Sequence, residues 1–118
     1  MADAGLFIGW GQVVRGREER ALGVFNETIE LYGQWQEDDR IESFEAVLLE
    51  PHGGDLAGFV MLRGSEEQIA ELRYDDAFQR VMQRADLVVE RLGIVSASIG
   101  AGIQRQIEAY QAEVAAVV

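Results

Sequence analysis

The chain has 118 residues, with 21 acidic side chains against 10 basic ones and a formal net charge of −11. This charge repels phosphate backbones and anionic lipid surfaces, so we expect no nucleic acid and no membrane as a partner. Cysteine is absent, which excludes disulfides and cysteine-ligated metals, and no apolar run approaches the ~20 residues that span a bilayer. We therefore expect a cytoplasmic protein with one domain over residues 1–118.

The first two predicted elements are a strand and a helix. Residues 6–14 are rich in β-forming side chains and too few for a helix, which indicates a strand. A helix is predicted from residue 15 until the segment 36–39, which contains three acidic residues. Its apolar positions recur at the three- and four-residue steps of one buried face: Leu22, Phe25, Ile29 and Tyr32.

A β-hairpin is predicted next. Residues 41–50 and 56–63 read as strands, and the turn-forming residues 51–55 lie between them. If the hairpin closes around residues 53–55, Glu45 lies directly opposite Arg63.

The second half of the chain repeats the order helix and strand, and then adds a helix. Ser65 and Gln68 have the spacing of a capping box at a helix start. The helix is interrupted at residues 74–76 and continues to Gly93, and a strand follows at 94–99. A last amphipathic helix carries one apolar stripe: Ile103, Ile107, Tyr110, Val114 and Val117.

This order of elements predicts an α+β protein with a ferredoxin-like β-α-β-β-α-β arrangement and an extra C-terminal helix. The expected antiparallel sheet has four strands in the order 4-1-3-2, with the long helices on one face. The other face is predicted to be too apolar to remain in water, which favours a homodimer packed sheet to sheet. Its expected side chains are Ile8, Trp10, Gln12, Phe59, Met61 and Arg63.

The element order, the Pro51–Gly54 turn, the broken second helix ending at Gly93 and the extra helix resemble the dimeric α/β-barrel superfamily. Residues 16–64 are similar to small uncharacterised bacterial members related to YCII-like and antibiotic-biosynthesis-monooxygenase-like proteins. The resemblance implies a cavity between sheet and helices that works without a bound cofactor. Two family features are missing: the first strand lacks the histidine of YCII-type proteins, and it has Gln12 where heme-degrading members use asparagine.

Three residues are candidates for catalysis. His52 is the only histidine, and it could act as a general base or heme ligand, or it could simply be a turn residue. Glu45 and Arg63 could fix a polar ligand inside an apolar cavity, or they could form an ordinary cross-strand ion pair.

Four further residues are candidates for binding a small apolar or aromatic molecule: Trp10, Gln12, Phe59 and Met61. No motif for a metal or a nucleotide is present, and we expect neither a metal nor a cofactor.

Three functions remain open. The first is a dimer that binds a small apolar molecule, and the second is a cofactor-independent monooxygenase or isomerase that acts on an aromatic or polyketide-like substrate. The third is a structural subunit that docks through its C-terminal helix.

Overall fold

The computed structural model describes residues 1–117. The elements in chain order are β1 (Ala4–Trp10), α1 (Glu18–Glu37), β2 (Ser43–Leu48), β3 (Gly58–Gly64), α2 (Glu66–Arg73), α3 (Asp76–Asp86), β4 (Gly93–Ser98) and α4 (Ala101–Val117). The strands form one antiparallel sheet in the order β2-β3-β1-β4. The predicted α+β, ferredoxin-like arrangement with an extra C-terminal helix is confirmed.

Local capping explains why the second helical segment is broken in two. The Ser65 hydroxyl accepts from the Gln68 backbone N–H at 3.1 Å, and the Ser65 N–H donates to the Gln68 side chain at 2.9 Å, which completes the predicted capping box. Asp75 then caps α3 by accepting from the Phe78 N–H at 3.0 Å. The expectation that this helix continues to Gly93 is wrong, because α3 ends at Asp86 and the next residues pair with the chain that follows β1.

The buried face of α1 differs from the predicted stripe. The buried side chains are Ala21, Thr28, Tyr32 and Trp35, whereas Leu22 is 66% exposed. Trp35 explains the difference, because its ring packs 5.5 Å from Tyr32 and 5.8 Å from Phe78, measured between ring centroids. A helix turns about 100° per residue, so burying Trp35 and Tyr32 selects the row through Thr28 and Ala21.

The sheet has one face against the helices and one without a covering helix. Leu6 and Ile8 on β1 lie beside Leu62 and Val60 on β3, and all four are buried in the core under the helices. The predicted placement of Ile8 and Trp10 on the other face is therefore wrong. Both alternating sets of β1 are apolar, so the period of two could not decide which set faces the helices.

Gln12 lies outside the sheet, since β1 ends at Trp10. Its backbone carbonyl accepts from the Glu90 N–H at 2.8 Å, and its side chain is exposed. The expectation that Gln12 lies on a sheet face is also wrong. After Trp10 the chain leaves the sheet and pairs with residues 88–90, which follow α3.

The surface that we call the open face carries alternate side chains of all four strands: Phe7, Val47, Phe59, Met61 and Val95. Phe7 and Phe59 stack with their ring centroids 5.1 Å apart. Val95 is 55% exposed, and Phe7, Phe59 and Met61 are half-buried. The predicted location of Phe59 and Met61 on this face is confirmed, and Phe7 takes the place expected for Ile8 and Trp10.

The β2–β3 register is shifted by two from the predicted one. Glu45 lies opposite Met61, and Arg63 lies opposite Ser43. The nine-residue connection sets this register, because the Leu49 N–H donates to the Ala57 carbonyl at 2.9 Å and extends the pairing past Leu48.

Helix α4 is fixed at its start and exposed along its length. Arg105 pairs with Asp3 at 2.5 Å and with Glu66 at 3.5 Å, measured from guanidinium nitrogen to carboxylate oxygen. All five residues of the predicted stripe are 45% to 84% exposed. The amphipathic pattern is real, but its apolar side stays half exposed or more in the described residues.

Candidate binding site

An apolar pocket lies on the helix side of the sheet, between β1, α1 and the residues that follow α3. Its volume is about 410 Å³, which is within the usual range of a small-molecule site. The lining is Ile8, Trp10, Val13, Glu18, Ala21, Leu22, Val24, Phe25, Thr28, Tyr32, Leu48, Val60, Met82, Ala85, Val88, Val89 and Leu92.

One end of the pocket is closed by an irregular pairing between residues 11–14 and 88–90. The Gly11 N–H donates to the Glu90 carbonyl at 2.7 Å, and the Val14 N–H donates to the Val88 carbonyl at 2.9 Å. The Arg17 guanidinium adds a hydrogen bond to the Leu87 carbonyl. These bonds place Val13, Val88 and Val89 in the wall although none of them belongs to a regular strand or helix.

Aromatic rings form another part of the wall. Trp10 and Phe25 meet edge to face with centroids 6.0 Å apart, and both line the pocket. Such rings give an apolar or aromatic ligand a large contact area.

Two of the polar side chains in the lining already have local partners. The Thr28 hydroxyl donates to the Phe25 carbonyl at 2.7 Å, within the same helix. Glu18 lies at the exposed start of α1, where its carboxylate accepts from the Gly16 N–H at 3.0 Å. The hydroxyl hydrogen of Thr28 is therefore used within α1, and one oxygen of Glu18 bonds the segment that precedes α1.

Tyr32 is different, because its side chain is fully buried and its hydroxyl has no hydrogen-bond partner within residues 1–117. Its ring is held by Trp35 and by Phe44, whose centroid is 5.9 Å away. Burial raises the pKa of Tyr32 above its ordinary value, so the phenol remains a neutral hydrogen-bond donor at physiological pH. An unpaired buried hydroxyl costs about 1–3 kcal/mol, and with less than 1 Å² of accessible surface this one lies behind the wall of the pocket.

His52 lies in the β2–β3 connection and outside the pocket. Its Nδ1 accepts from the Gly54 N–H at 3.2 Å, so Nε2 carries the proton and donates to the Leu56 carbonyl at 2.8 Å. Both ring nitrogens therefore hold the loop. This geometry fits the alternative in which His52 is a turn residue.

Glu45 and Arg63 lie on the open face, on the other side of the sheet from the pocket. They form an ion pair at 3.6 Å across the diagonal of the ladder, although the register does not place them directly opposite each other. The side chains are 59% and 37% exposed, so the pair contributes under about 1 kcal/mol.

The structure separates the four candidate ligand-binding residues. Trp10 lines the pocket, Phe59 and Met61 belong to the open face, and Gln12 is exposed beyond the end of β1. The pairing of 11–14 with 88–90, which brings Val88 and Val89 into the wall, had no recognisable sequence signal.

Two classes of feature are absent from the described part of the chain. Within residues 1–117, no helix is long and apolar enough to cross a membrane. The same residues contain no group of three or more histidine, aspartate or glutamate side chains arranged to hold a metal ion.

Comparison with known proteins identifies relatives by structure alone. No protein-family model matches the chain, and no curated protein matches its sequence.

Three solved structures share its fold. A dimeric protein of unknown function and ferredoxin-like fold from Bacteroides fragilis has a TM-score of 0.59 at 12% identity, over 81% of this chain and 96% of its own. SnoaB, a cofactor-independent oxygenase from Streptomyces nogalater, has a TM-score of 0.54 at 15% identity, over 84% of this chain and 95% of its own. A proposed antibiotic biosynthesis monooxygenase from Chloroflexus aurantiacus has a TM-score of 0.54 at 12% identity, over 82% of this chain and 93% of its own.

Identities this low carry the fold and leave the chemistry undetermined, because one fold serves many functions. The chain therefore has the ferredoxin-like fold of these dimeric and monooxygenase-like proteins, as its sequence predicted.

Proposed function

We propose that the protein is a homodimer that binds a small apolar molecule in the pocket between β1, α1 and the residues after α3. The observation that carries the proposal is the pocket itself, with about 410 Å³ of volume and a wall in which the aromatic and aliphatic side chains far outnumber the polar ones. An anion would lose its hydration there with no basic side chain in the lining to pair with it, and the one acidic side chain, Glu18, lies at the exposed start of α1, so we expect the ligand to be neutral.

The proposed dimer packs two open faces against each other. Phe7, Phe59, Met61 and Val95 form the apolar centre of that face, and a central row this apolar is rarely left in water. The similar Bacteroides fragilis protein, which is dimeric, supports this part of the proposal. The pocket lies on the opposite side of the sheet, so ligand binding and dimer formation use different surfaces.

Filling the pocket tests the binding proposal. Ala21 lines the pocket and is buried, so Ala21→Phe places a ring in the space of the ligand. Ala109 is exposed on α4, and Ala109→Phe is the matched control for adding the same ring outside the pocket. Nile red, a neutral dye whose fluorescence rises in apolar surroundings, is the probe.

We expect Nile red to bind the wild type and the Ala109→Phe variant with equal affinity, and to bind Ala21→Phe at least tenfold more weakly. Equal binding to all three proteins would locate the dye on the open face or α4 and would contradict the proposal. Native mass spectrometry of protein purified from its own host complements the test by detecting a retained ligand.

A second candidate function is a cofactor-independent monooxygenase or isomerase that acts on an aromatic or polyketide-like substrate. The aromatic wall formed by Trp10 and Phe25 favours it, and SnoaB, a cofactor-independent oxygenase, has a similar fold. In this case His52, Glu45 and Arg63 do not act in the pocket, since none of them lines it. Dioxygen uptake in the presence of a phenolic polycyclic substrate, lost in Ala21→Phe, would distinguish this function from binding alone.

The third candidate is an interaction subunit that docks through α4. The exposed apolar stripe of that helix favours it. Replacing Ile107 and Val114 with glutamate would abolish such docking and leave the binding of Nile red in the pocket unchanged.

A further inference from the structure

Helix α4 leaves the body of the protein with its apolar side unpacked. Among residues 101–117 only Gly102 is buried, and every other residue of the helix is exposed. Arg105 ties the start of the helix to Asp3 and Glu66. Because a helix in a protein gains most of its stability by packing its apolar face, the stripe of α4 is a surface that requires a partner.

The spacing of this stripe fits another helix. Its residues follow one another at steps of four, three, four and three, which is the heptad pattern of a coiled-coil seam and is narrower than a face that packs on a sheet. In that pattern Ile107 and Val114 occupy the a positions, where two-stranded coils favour β-branched side chains. The d positions are Ile103, Tyr110 and Val117.

The charges around the stripe favour a second copy of the same helix. The chain carries a net charge of −11, so two copies repel each other over most of their surface, but the charged residues of α4 are only Arg105, Glu108 and Glu113. Positions beside a seam select the partner through their charges, and three of the four here are neutral: Gln104, Gln106, Gln111 and Glu113. A glutamine amide both donates and accepts, so such flanks can bond their own kind.

We propose that α4 pairs along its apolar stripe with α4 of a second copy of this chain, as a short two-stranded coiled coil. The inference goes beyond the proposed function, because α4 contributes no side chain to the pocket and no strand to the open face. It gives the chain a second surface for self-association.

Site-specific cross-linking of the full chain tests the pairing. The chain has no cysteine, so Tyr110→Cys and Ala112→Cys each introduce a unique thiol. Tyr110 lies in the middle of the stripe, whereas Ala112 is exposed on the opposite side of the same helix and is the matched control. The rate of covalent dimer formation with a short bismaleimide is measured by denaturing gel electrophoresis.

We expect the Tyr110→Cys chain to cross-link about tenfold faster than Ala112→Cys, because pairing raises the local concentration of one thiol around the other. Adding Ile107→Glu and Val114→Glu to Tyr110→Cys should remove this advantage, since the charges then lie in the seam. Ala109→Glu with Ala116→Glu adds the same charge at the same spacing outside the stripe and should keep the advantage. Circular dichroism checks that all variants are folded.

Equal cross-linking rates for Tyr110→Cys and Ala112→Cys would overturn the inference, because the stripe would then cover another surface of the second copy or bind an unrelated protein. A fast rate that survives Ile107→Glu and Val114→Glu would overturn it as well. Either result leaves the proposed function standing, since the binding of Nile red reports on the pocket alone.

Discussion

The unpaired hydroxyl of Tyr32 predicts an unusual outcome for the ligand-free protein: Tyr32→Phe should stabilise it. The substitution removes a hydroxyl that is buried without a partner within residues 1–117 and keeps the ring contacts with Trp35 and Phe44. Leaving a buried polar group unpaired costs about 1–3 kcal/mol, so we expect a gain near the lower end, about 1 kcal/mol. For a chain of this length, that gain raises Tm by roughly 3–5 °C.

The assay is thermal and urea unfolding of ligand-free protein, with Tyr74→Phe as the control. Tyr74 is 80% exposed, so loss of its hydroxyl should change the free energy of unfolding by no more than about 0.5 kcal/mol. A loss of about 1 kcal/mol or more in Tyr32→Phe would refute the reasoning, because it would show that the hydroxyl makes a favourable hydrogen bond in the free protein, for example to a buried water.

Three further predictions concern the open face, α3 and α4. Met61→Glu should dissociate the proposed dimer, because it places an unpaired charge at the centre of the open face. The control Leu87→Glu, at a 63% exposed position just after α3, should leave the dimer intact. Size-exclusion chromatography with light scattering measures both masses, and an unchanged mass for Met61→Glu would contradict the proposed interface. Burial raises the pKa of Asp75, but hydrogen bonds from the Phe78 N–H and Arg40 outweigh it and lower the pKa below its usual value, so the carboxylate stabilises the fold at neutral pH and loses this contribution as the pH falls through its native pKa. Asp75→Asn keeps a side chain that can cap α3 but loses the ion pair with Arg40. In urea unfolding, the variant should be less stable than the wild type by about 0.5 kcal/mol at pH 7 and equally stable in strong acid. A difference in stability that does not change with pH would count against the ion pair. Gly102→Ala should destabilise the protein by about 1–3 kcal/mol, because its Cβ would collide with the Asp3 carbonyl oxygen. Gly23→Ala, with open space around it, should stabilise α1 by up to about 1 kcal/mol. A stabilised Gly102→Ala would mean that α4 is not anchored at Asp3.

The fold could be predicted from the sequence because its local signals are strong and agree with one another. The capping box at Ser65 and Gln68 and the acidic interruption at Asp75 marked the starts of α2 and α3 correctly. The stripe of α4 gave its length and its apolar side, although the sequence could not show that this side stays exposed.

The parts that failed depend on long-range packing. Side chains of β1 alternate between two apolar sets, and only the packing of Leu6 and Ile8 in the core shows that Trp10 faces the helices. The two-residue shift in the hairpin depends on the bond between Leu49 and Ala57, which no turn motif indicated.

The candidate site was harder to predict for the same reason. Trp10 was a predicted ligand-binding residue and does line the pocket, but it was expected on the other face of the sheet. Tyr32 belonged to the predicted helix stripe, and nothing in the sequence distinguishes a core tyrosine with a hydrogen-bond partner from one without. Val88 and Val89 enter the wall through irregular pairing, which has no periodic signature.

The central claim is that a small neutral ligand binds on the helix side of the sheet. Amide chemical-shift mapping by NMR during titration with 2-acetylnaphthalene tests it most directly. We expect the largest shifts around the pocket, at Phe25, Thr28, Val88 and Val89. Shifts concentrated at Phe7, Phe59 and Met61 would place the ligand on the open face and would contradict the claim.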